Sequence, residues 1–559
     1  AASGVVVDLS AGTAQDGDGG TDTLSNIERV RGSHFADSIS GDGGNNILEG
    51  LDGDDTLSGG AGYDSAEYNN FDTGGISVTL SATSTVVGDQ YVGTDTLIDT
   101  ERVYGTNAAD TFVADGTFTA FNTSNSDFNE FEGQGGDDTI TGNGNTRIGY
   151  SRATAAVTVD LAAGTATGDA SVGSDTILGG VIDVRGSNFD DFIYGSDAVD
   201  ESFRGQGGTD TLDGRGGIDR ADYFNSPGAV TVDLSAGTAS DGYGTTDTLI
   251  AIEDVRGSAY HDRFIGDGND NVLDGHDGFD RADYVSATAS VTVAMSATST
   301  VTGDASVGVD TLVEIELVYG SDFDDFFTAD GGYFSSSYDD LVEFEGGLGN
   351  DTITGNGNTR IGFSRAAAGV TVDLAAGTAT GDASVGSDTI LGGVTEVRGS
   401  DFGDTLSGSA AGNERFRGQA GNDTIDGRGG DQDVADYRFD PDRGGGLGVE
   451  VTLVAGGDGS ATDGYGDIDT LRNIERVDGS NFNDTLIGDS LNNAFTGMAG
   501  NDTIDGGAGF DSALYWNATA GITATLSSAS SVTGDASVGT DTLTGIERIY
   551  GSEYDDVFT

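Results

Sequence analysis

Residues Gly41 to Glu67 read GDGGNNILE, GLDGDDTLS and GGAGYDSAE, three consecutive nonapeptides of the pattern G-x-x-G-x-D-x-U-x, in which U is apolar. The first nonapeptide has Asn46 in place of the Asp. Gly, Asp and Asn favour tight turns, whereas short runs of aliphatic residues and Thr favour strands. Because no window of the chain has a sustained helical period, the stretch predicts many short strands joined by tight turns.

Longer repeats extend this arrangement over all 559 residues. The stretch that starts at Thr139 recurs almost letter for letter from Thr352, and the chain stops inside a motif that earlier repeats continue, which predicts a segment of a longer array. A V-T-V-D-L motif, or a relative of it, opens each repeat. It divides the chain into eight predicted repeats, the last of them truncated: 1–75, 76–156, 157–229, 230–290, 291–369, 370–448, 449–521 and 522–559.

Each repeat also carries D-T-L or D-T-I, then I-E-x-V or a relative, then G-S-x-x-x-D, with Thr for Ser in repeat 2. The aspartates of the first and last motifs are 15 or 16 residues apart in every repeat. This constant distance predicts an all-β fold, a continuous parallel solenoid in which like residues stack. Independent small β domains are the alternative, but repeats this thin need stacked neighbours to bury a core. The residues two positions after the G-S aspartate are predicted core: Ile39, Phe112, Ile193, Phe264, Phe327, Leu406, Leu486 and Phe558.

The tandem nonapeptides resemble the RTX family, the hemolysin-type calcium-binding repeats of secreted bacterial proteins, whose consensus is G-G-x-G-x-D-x-U-x. The resemblance touches all eight repeats. It implies a parallel β-roll in which six residues turn and bind Ca²⁺, three form a strand, and two nonapeptides make one coil. It also implies export by a type I secretion system.

Calcium chemistry is consistent with the spacing. Ca²⁺ takes six to eight oxygen ligands, and a Gly-rich turn offers backbone carbonyls while the sixth-position Asp adds a charged oxygen. The alternative is that Asp, Asn and Gly occur here only because they favour turns, without binding calcium. The predicted metal ligands are Asp37, Asn46, Asp55, Asp64, Asp138, Asp191, Asp210, Asp219, Asp262, Asn271, Asp280, Asp351, Asp404, Asp423, Asp484, Asn493, Asp502 and Asp511.

Some repeated positions depart from the pattern. GNGNTRIGY from Gly142 puts Arg147 in the frame of the Asp, and Arg360 repeats this, so we expect no calcium there and a guanidinium paired with carboxylates of the adjacent coil. The D-T-L aspartates fit either a degenerate half-site or a cap of the turn.

The remaining motifs are better explained by structure than by catalysis. His34, His261 and His276 hold different places in different repeats, so no zinc site or Ser-His-Asp triad is expected. An aromatic residue precedes most V-T-V motifs, and a core or edge ladder is favoured over a carbohydrate platform: Tyr68, Tyr150, Tyr223, Tyr284, Phe363, Tyr437 and Tyr515. Arginines in or beside I-E-x-V are expected to pair with acids: Arg29, Arg102, Arg256, Arg398, Arg476 and Arg548.

Composition narrows the function. Asp and Glu number 95 against 23 Arg and no Lys, a formal charge of −72, which excludes nucleic acid and anionic membrane surfaces as direct partners. There is no Cys, and no apolar run approaches the length of a membrane span. We therefore expect a non-enzymatic, extracellular or cell-surface, calcium-stabilised rod of about 30 coils and about 150 Å. A fibre, adhesin stalk or surface-layer segment would suit it, with calcium ions as partners and self-association possible in principle.

Two alternatives stay open. The chain could be the RTX module of a secreted protease, lipase or alginate epimerase, in which case a catalytic domain would lie in flanking sequence. It could also be a ligand-binding adhesin, which would need an insertion; residues 115–130 and 330–342 are the closest candidates. Because these insertions occur in matching repeats, a lateral contact is favoured over a unique ligand site.

Overall fold

A computed structural model describes residues 1–69, 74–119, 128–197, 199–335, 341–440, 446–527 and 530–559. These residues form strands and turns with no helix, so none could cross a membrane as a helix. The chain divides into two compact units, one of Ala1–Ile265 with Asn271–Gly278 and the other of Gly266–Asp270 with Phe279–Thr559.

The strands are short and fall into six types, named here by their motifs. The V-T-V strands are Val6–Asp8, Ser77–Leu80, Thr158–Asp160, Thr231–Asp233, Thr292–Met295, Thr371–Asp373, Glu450–Thr452 and Thr523–Thr525. The middle strands that follow them are Thr13–Gln15, Ser84–Val87, Thr165–Thr167, Thr238–Ser240, Ser299–Thr302, Thr378–Thr380, Gly459–Thr462 and Ser530–Thr533. The D-T-L strands are Thr21–Thr23, Thr94–Ile98, Ser174–Ile177, Thr246–Ile250, Val309–Val313, Ser387–Ile390, Ile468–Arg472 and Thr540–Thr544.

The other three types complete each repeat. The I-E strands are Arg29–Arg31, Arg102–Tyr104, Val181–Arg185, Asp254–Arg256, Leu317–Tyr319, Val394–Arg398, Arg476–Asp478 and Arg548–Tyr550. The G-S strands are Ser38–Ser40, Thr111–Ala114, Phe192–Tyr194, Arg263–Ile265, Phe326–Ala329, Thr405–Ser407, Thr485–Ile487 and Val557–Phe558. The nonapeptide strands are Ile47–Glu49, Thr56–Ser58, Ser65–Glu67, Asn129–Glu132, Thr139–Thr141, Thr146–Gly149, Ser202–Arg204, Thr211–Asp213, Arg220–Asp222, Val272–Asp274, Arg281–Asp283, Val342–Glu345, Thr352–Thr354, Thr359–Gly362, Arg415–Arg417, Thr424–Asp426, Val434–Asp436, Ala494–Thr496, Thr503–Asp505 and Ser512–Leu514.

Successive nonapeptide strands alternate between two parallel sheets. The G-S strand Ser38–Ser40 pairs in parallel with Thr56–Ser58, so that Ile39 lies opposite Leu57. The strand between them in sequence, Ile47–Glu49, pairs in the other sheet with Ser65–Glu67. Two nonapeptides therefore make one coil, and the predicted all-β solenoid is confirmed within each compact unit.

An antiparallel insertion interrupts the parallel ladder in every repeat, which the sequence did not predict. In repeat 3, Thr158 pairs with Thr167 and Thr165 with Thr176, so the V-T-V, middle and D-T-L strands form a three-stranded meander. The D-T-L strand continues the preceding ladder through Ile140 and Ile177. The D-T-L and G-S strands of one repeat are therefore not neighbours, because the other two strands of the meander lie between them in the sheet.

The core is a row of side chains from the middle of each strand, which point inward because successive strand residues face opposite sides. Seven of the eight predicted core residues, from Ile39 to Leu486, are at most 1% exposed. Phe558 is the exception at 54% exposed; its strand pairs with Thr523–Thr525. An aromatic residue that precedes most meanders, such as Tyr68 or Tyr150, is also buried.

Candidate metal centre

The sixth-position side chains stack along the turns in sets of three. The backbone N–H of Asp37 donates to Oδ1 of Asp55 at 2.7 Å, and the N–H of Asp55 donates to Oδ1 of Asp95 at 2.8 Å. Asp110, Asp138 and Asp175 repeat the arrangement one repeat later. Each turn is thus held to the next by a carboxylate that accepts a backbone hydrogen bond.

The second member of such a set, called here the central carboxylate, has one oxygen without a hydrogen-bond partner. Its Oδ1 accepts the N–H of the preceding set member, while its Oδ2 is buried and has no hydrogen-bond partner. An unpartnered buried carboxylate oxygen is costly unless a cation or proton compensates it. Nine of the predicted metal ligands share this state, and each is at most 2% exposed: Asp55, Asp64, Asp138, Asp210, Asp219, Asp351, Asp423, Asp502 and Asp511.

The first Gly of each nonapeptide makes room for that oxygen. A Cβ on Gly346 would lie 1.9 Å from Oδ2 of Asp351, and one on Gly133 would lie 1.9 Å from Oδ2 of Asp138. No side chain could occupy this space without displacing the carboxylate. The conserved spacing within the nonapeptide, Gly first and Asp sixth, therefore builds a cradle of backbone around a charged oxygen.

Burial raises the pKa of these central carboxylates. The pKa of Asp351 rises from 3.8 to about 8, first because burial penalises the charged form and then because Asp388 and Asp325 lie close by. The pKa of Asp138 and of Asp210 also rises to about 8, and the pKa of Asp423 and of Asp502 to about 9. Near neutral pH these groups hold protons unless a cation replaces them.

The G-S aspartates differ because both of their oxygens accept protein hydrogen bonds. In Asp191, Oδ2 accepts the N–H of Ser187, while Oδ1 accepts the Ser187 hydroxyl and the N–H of Val157. Such an Asp closes its turn and ties it to the V-T-V strand. The predicted ligands with this arrangement are Asp37, Asp191, Asp262, Asp404 and Asp484. Their role as calcium ligands stays a prediction.

The D-T-L aspartates are the third members of their sets. They also explain why a tyrosine precedes most V-T-V motifs. Oδ2 of Asp95 accepts the hydroxyl of Tyr68 at 2.8 Å, and the five later tyrosines of the motif make the same bond to their own D-T-L Asp. These tyrosines are buried, so the predicted core position is confirmed and a carbohydrate platform is wrong. Phe363 takes the same place in its repeat, buried and without a hydroxyl.

The opposite edge of the coils uses neutral and longer side chains. Asn46 and Asn493 are first members there, and their N–H groups donate to Asp64 and Asp511. Asn271 donates through Nδ2 to the carbonyl of Glu253, and the N–H of Asp280 donates to Glu316. All eighteen predicted side chains therefore lie in turns at the two edges.

Sequence reasoning missed the third members of this edge. The I-E glutamates accept the N–H of the central Asp: Glu101 from Asp64, Glu253 from Asp219, Glu475 from Asp433 and Glu547 from Asp511. Asp433 was also missed, because its turn is one residue longer than a nonapeptide; its Oδ2 is buried without a partner. Counting two residues back from the apolar core residue, instead of forward from Gly, would have found it.

The turns that contain Arg147 and Arg360 are one residue shorter than a nonapeptide, whereas the turn at Asp433 is one residue longer. Thr146, two residues before the core residue Ile148, holds the place of the Asp and accepts the N–H of Asn143. Arg147 lies one residue later on the outer face of the strand, because this turn is one residue short. The predicted pairing is confirmed: Arg147 contacts Asp183 at 2.6 Å and Glu130 at 3.5 Å. Arg360 likewise contacts Glu396 at 2.7 Å and Glu343 at 2.9 Å.

The other arginines predicted to pair with acids mostly do so. The observed pairs are Arg29 with Glu67, Arg102 with Glu130, Arg256 with Asp274, Arg398 with Glu345, and Arg476 with Asp478. Arg548 instead donates to the Tyr550 hydroxyl and lies over the Phe510 ring. The candidate insertions 115–130 and 330–342 fall partly outside the described residues.

The donor set fits a hard cation bound mostly by backbone. In the part of the chain that the structure describes, no three His, Asp or Glu side chains are grouped to hold a metal ion. A cation in these turns would therefore take one or two carboxylate oxygens and complete its shell with carbonyls, an all-oxygen set that Ca²⁺ accepts.

A comparison with known families agrees with this chemistry. A model described as the RTX calcium-binding nonapeptide repeat (4 copies) matches residues 32–66, 123–146, 247–282, 343–359, 409–431 and 478–513. No curated protein matches the chain.

Proposed function

The chain is an RTX-repeat protein whose repeats bind Ca²⁺, and from this premise we propose that it is a non-catalytic structural segment of an extracellular fibre, adhesin stalk or surface layer. The observation that carries the proposal is the repetition of one unpartnered buried carboxylate oxygen in turn after turn. A catalytic group needs one unique place, whereas these groups are copies.

We assign the calcium ions to the central carboxylates, Asp55, Asp64, Asp138, Asp210, Asp219, Asp351, Asp423, Asp433, Asp502 and Asp511. Bound Ca²⁺ supplies the positive charge that their Oδ2 atoms lack. The adjacent set members, such as Asp95 and Glu101, hold the backbone of each turn in place through their accepted N–H bonds. We propose that other predicted ligands contribute oxygens to the calcium ions from the flanking turns: the G-S aspartates, Asn46, Asn271, Asp280 and Asn493.

The net charge of −72 supports a fold controlled by calcium concentration. In a calcium-poor cytosol the carboxylates repel one another, and a chain that is only 35% hydrophobic stays extended and suited to export. Outside the cell, the millimolar calcium affinities typical of extracellular modules are enough to order it. We therefore propose that the protein folds outside the cell, after type I secretion.

An exposed aromatic residue that recurs at one motif position supports self-association. The second residue after Gly-Ser in the G-S-x-x-x-D motif is an aromatic that is 38–55% exposed in seven of the eight repeats: Phe35, Phe189, Tyr260, Phe323, Phe402, Phe482 and Tyr554. Recurring exposed aromatics on an acidic protein suit contact with a second copy of the chain. Replacing four of these with Ser should lower the sedimentation coefficient of the calcium-loaded protein, whereas Leu178→Ser with Leu391→Ser, at positions that are 65% and 66% exposed, should not.

Pulling the chain from its two ends tests the mechanical role. With calcium we expect a series of force peaks as groups of coils unfold, and with excess chelator we expect these peaks to fall or vanish. A force profile that is the same in both conditions would remove the case for a calcium-stiffened stalk, even if calcium binds.

A further inference from the structure

Two hairpins of the chain share two backbone hydrogen bonds but differ in chemistry. The turn after Tyr223 and the hairpin of repeat 4 place Ser226, Asp241 and Thr245 together, and the equivalent elements before and within repeat 7 place Asp440, Asp463 and Asp467 at the same positions. The N–H of Ser226 donates to Tyr223, as the N–H of Asp440 does to Tyr437. The N–H of Asp241 donates to the carbonyl of Thr245, as that of Asp463 does to Asp467.

In the first hairpin the carboxylate is fully satisfied. Oδ1 of Asp241 accepts the N–H groups of Tyr243, Gly244 and Thr245, while Oδ2 accepts the hydroxyl of Thr245. Ser226 beside it is neutral. Asp241 is 0% exposed, and its burial is compensated within the turn.

In the second hairpin that compensation is lost. Oδ1 of Asp463 still accepts the N–H groups of Tyr465 and Asp467, but Asp467 has no hydroxyl to donate and instead accepts the N–H of Gly421. Oδ2 of Asp463 is left buried without a partner, on a residue that is 0% exposed.

A second buried carboxylate lies against the same turn. Asp440, in the place of Ser226, is 2% exposed, and its Oδ2 accepts the N–H of Gly464, the residue that follows Asp463. Two carboxylates have thus replaced one carboxylate and a hydroxyl in a site closed to water. Buried like charges persist only when a cation or a shared proton offsets them.

We propose that Asp440 and Oδ2 of Asp463 hold a divalent cation at the base of this hairpin, outside the nonapeptide turns. All ligands available there are oxygens, which selects a hard cation of the Ca²⁺ class. With only two carboxylates, the shell would be completed by backbone carbonyls and water. The equivalent hairpin at Asp241 has no such site.

A crystal structure of the full 559-residue chain in calcium, with a second data set after exchange of Ca²⁺ for Tb³⁺, tests this directly. We expect an anomalous peak about 2.3–2.6 Å from Oδ2 of Asp463 and from a carboxylate oxygen of Asp440, and none at Asp241. The double variant Asp440→Ser/Asp467→Thr, which takes its residues from the first hairpin, should lose that peak alone.

The reciprocal variant Ser226→Asp/Thr245→Asp keeps the test decisive if the first variant fails to fold, because it should gain a peak at Asp241. Absence of a peak, with the carboxyl groups of Asp440 and Asp463 sharing a hydrogen bond, overturns the proposal in favour of a proton. A peak held by Asp463 and Asp423 without Asp440 overturns it as well. Peaks in the nonapeptide turns report separately on the proposed function.

Discussion

Replacing Asp351 with Asn should stabilise the calcium-free protein and destabilise the calcium-bound one. Oδ2 of Asp351 is buried without a partner, and its pKa is raised to about 8 from 3.8. At pH 7 the folded group must therefore take up a proton that the unfolded chain does not carry, at a cost of about 4 kcal/mol. Asn avoids this cost, but its buried amide NH₂ group destabilises the folded state by about 1–3 kcal/mol.

The expected net gain without calcium is about 2 kcal/mol, equivalent to about 30-fold slower exchange of the local amides where exchange follows the opening equilibrium. Hydrogen–deuterium exchange of residues 351–354 in excess chelator measures it. With calcium the sign should reverse, since Asn offers one neutral oxygen where the ion needs a charged one. Asp138→Asn, at the same place in the near-identical earlier repeat, should behave alike, and the exposed Asp322→Asn should change neither state.

Faster exchange of the Asp351→Asn protein in chelator would refute the reasoning, because it would mean that the ionised carboxylate stabilises the metal-free turn. Equal effects with and without calcium would refute the assignment of the ion to Asp351.

Three further outcomes follow from the same geometry. Burial raises the pKa of the central carboxylates in the folded chain, to about 6 for Asp64, about 8 for Asp351 and about 9 for Asp423, against 3.8. The folded chain therefore holds extra protons between about pH 4 and pH 9. Stability without calcium should be present at acidic pH and lost as pH rises through this window, which circular dichroism in chelator would detect. Tyr150→Phe removes the hydroxyl bonded to Asp175 and should lower local stability by about 1 kcal/mol. Phe363→Tyr should add a hydrogen bond to Asp388 and raise local stability by a similar amount. If local hydrogen exchange changes in the same direction for both variants, the role assigned to the hydroxyl is wrong. Gly346→Ala should abolish calcium binding at its turn, because the added Cβ would lie 1.9 Å from Oδ2 of Asp351, whereas Gly331→Ala, with nothing within 4 Å, should bind as the parent does; calorimetry that finds equal stoichiometry for both would contradict the cradle.

The nonapeptides predicted the coil because their two signals are local. Gly, Asp and Asn mark the turn, and a single apolar residue such as Leu57 marks the inward position of a three-residue strand. The meander could not be predicted in the same way, since Thr158–Asp160, Thr165–Thr167 and Ser174–Ile177 have the composition of any short strand. Whether such strands pair in parallel or antiparallel is decided by tertiary contacts, which a motif does not encode.

The site was predictable to the level of the turn and no further. Residue type and spacing found Asp351 and Asp191 equally well, yet the serine four residues before Asp191 satisfies both of its oxygens, and nothing equivalent reaches Oδ2 of Asp351. The positions of Thr146 and Asp433 were not predicted, because each turn differs from a nonapeptide by one residue while the core residue keeps its register. Glu101 and its equivalents escaped because the acid that meets Asp64 comes from 37 residues away.

The central claim is that calcium in the turns holds the fold together, and the most direct measurement is circular dichroism with thermal melting of one sample, first in calcium and then in excess chelator. We predict a strong strand signal and a high melting temperature with calcium, and at pH 8 the loss of most of that signal on chelation, restored when calcium is returned. A strand signal and melting temperature that chelation leaves unchanged would contradict the claim.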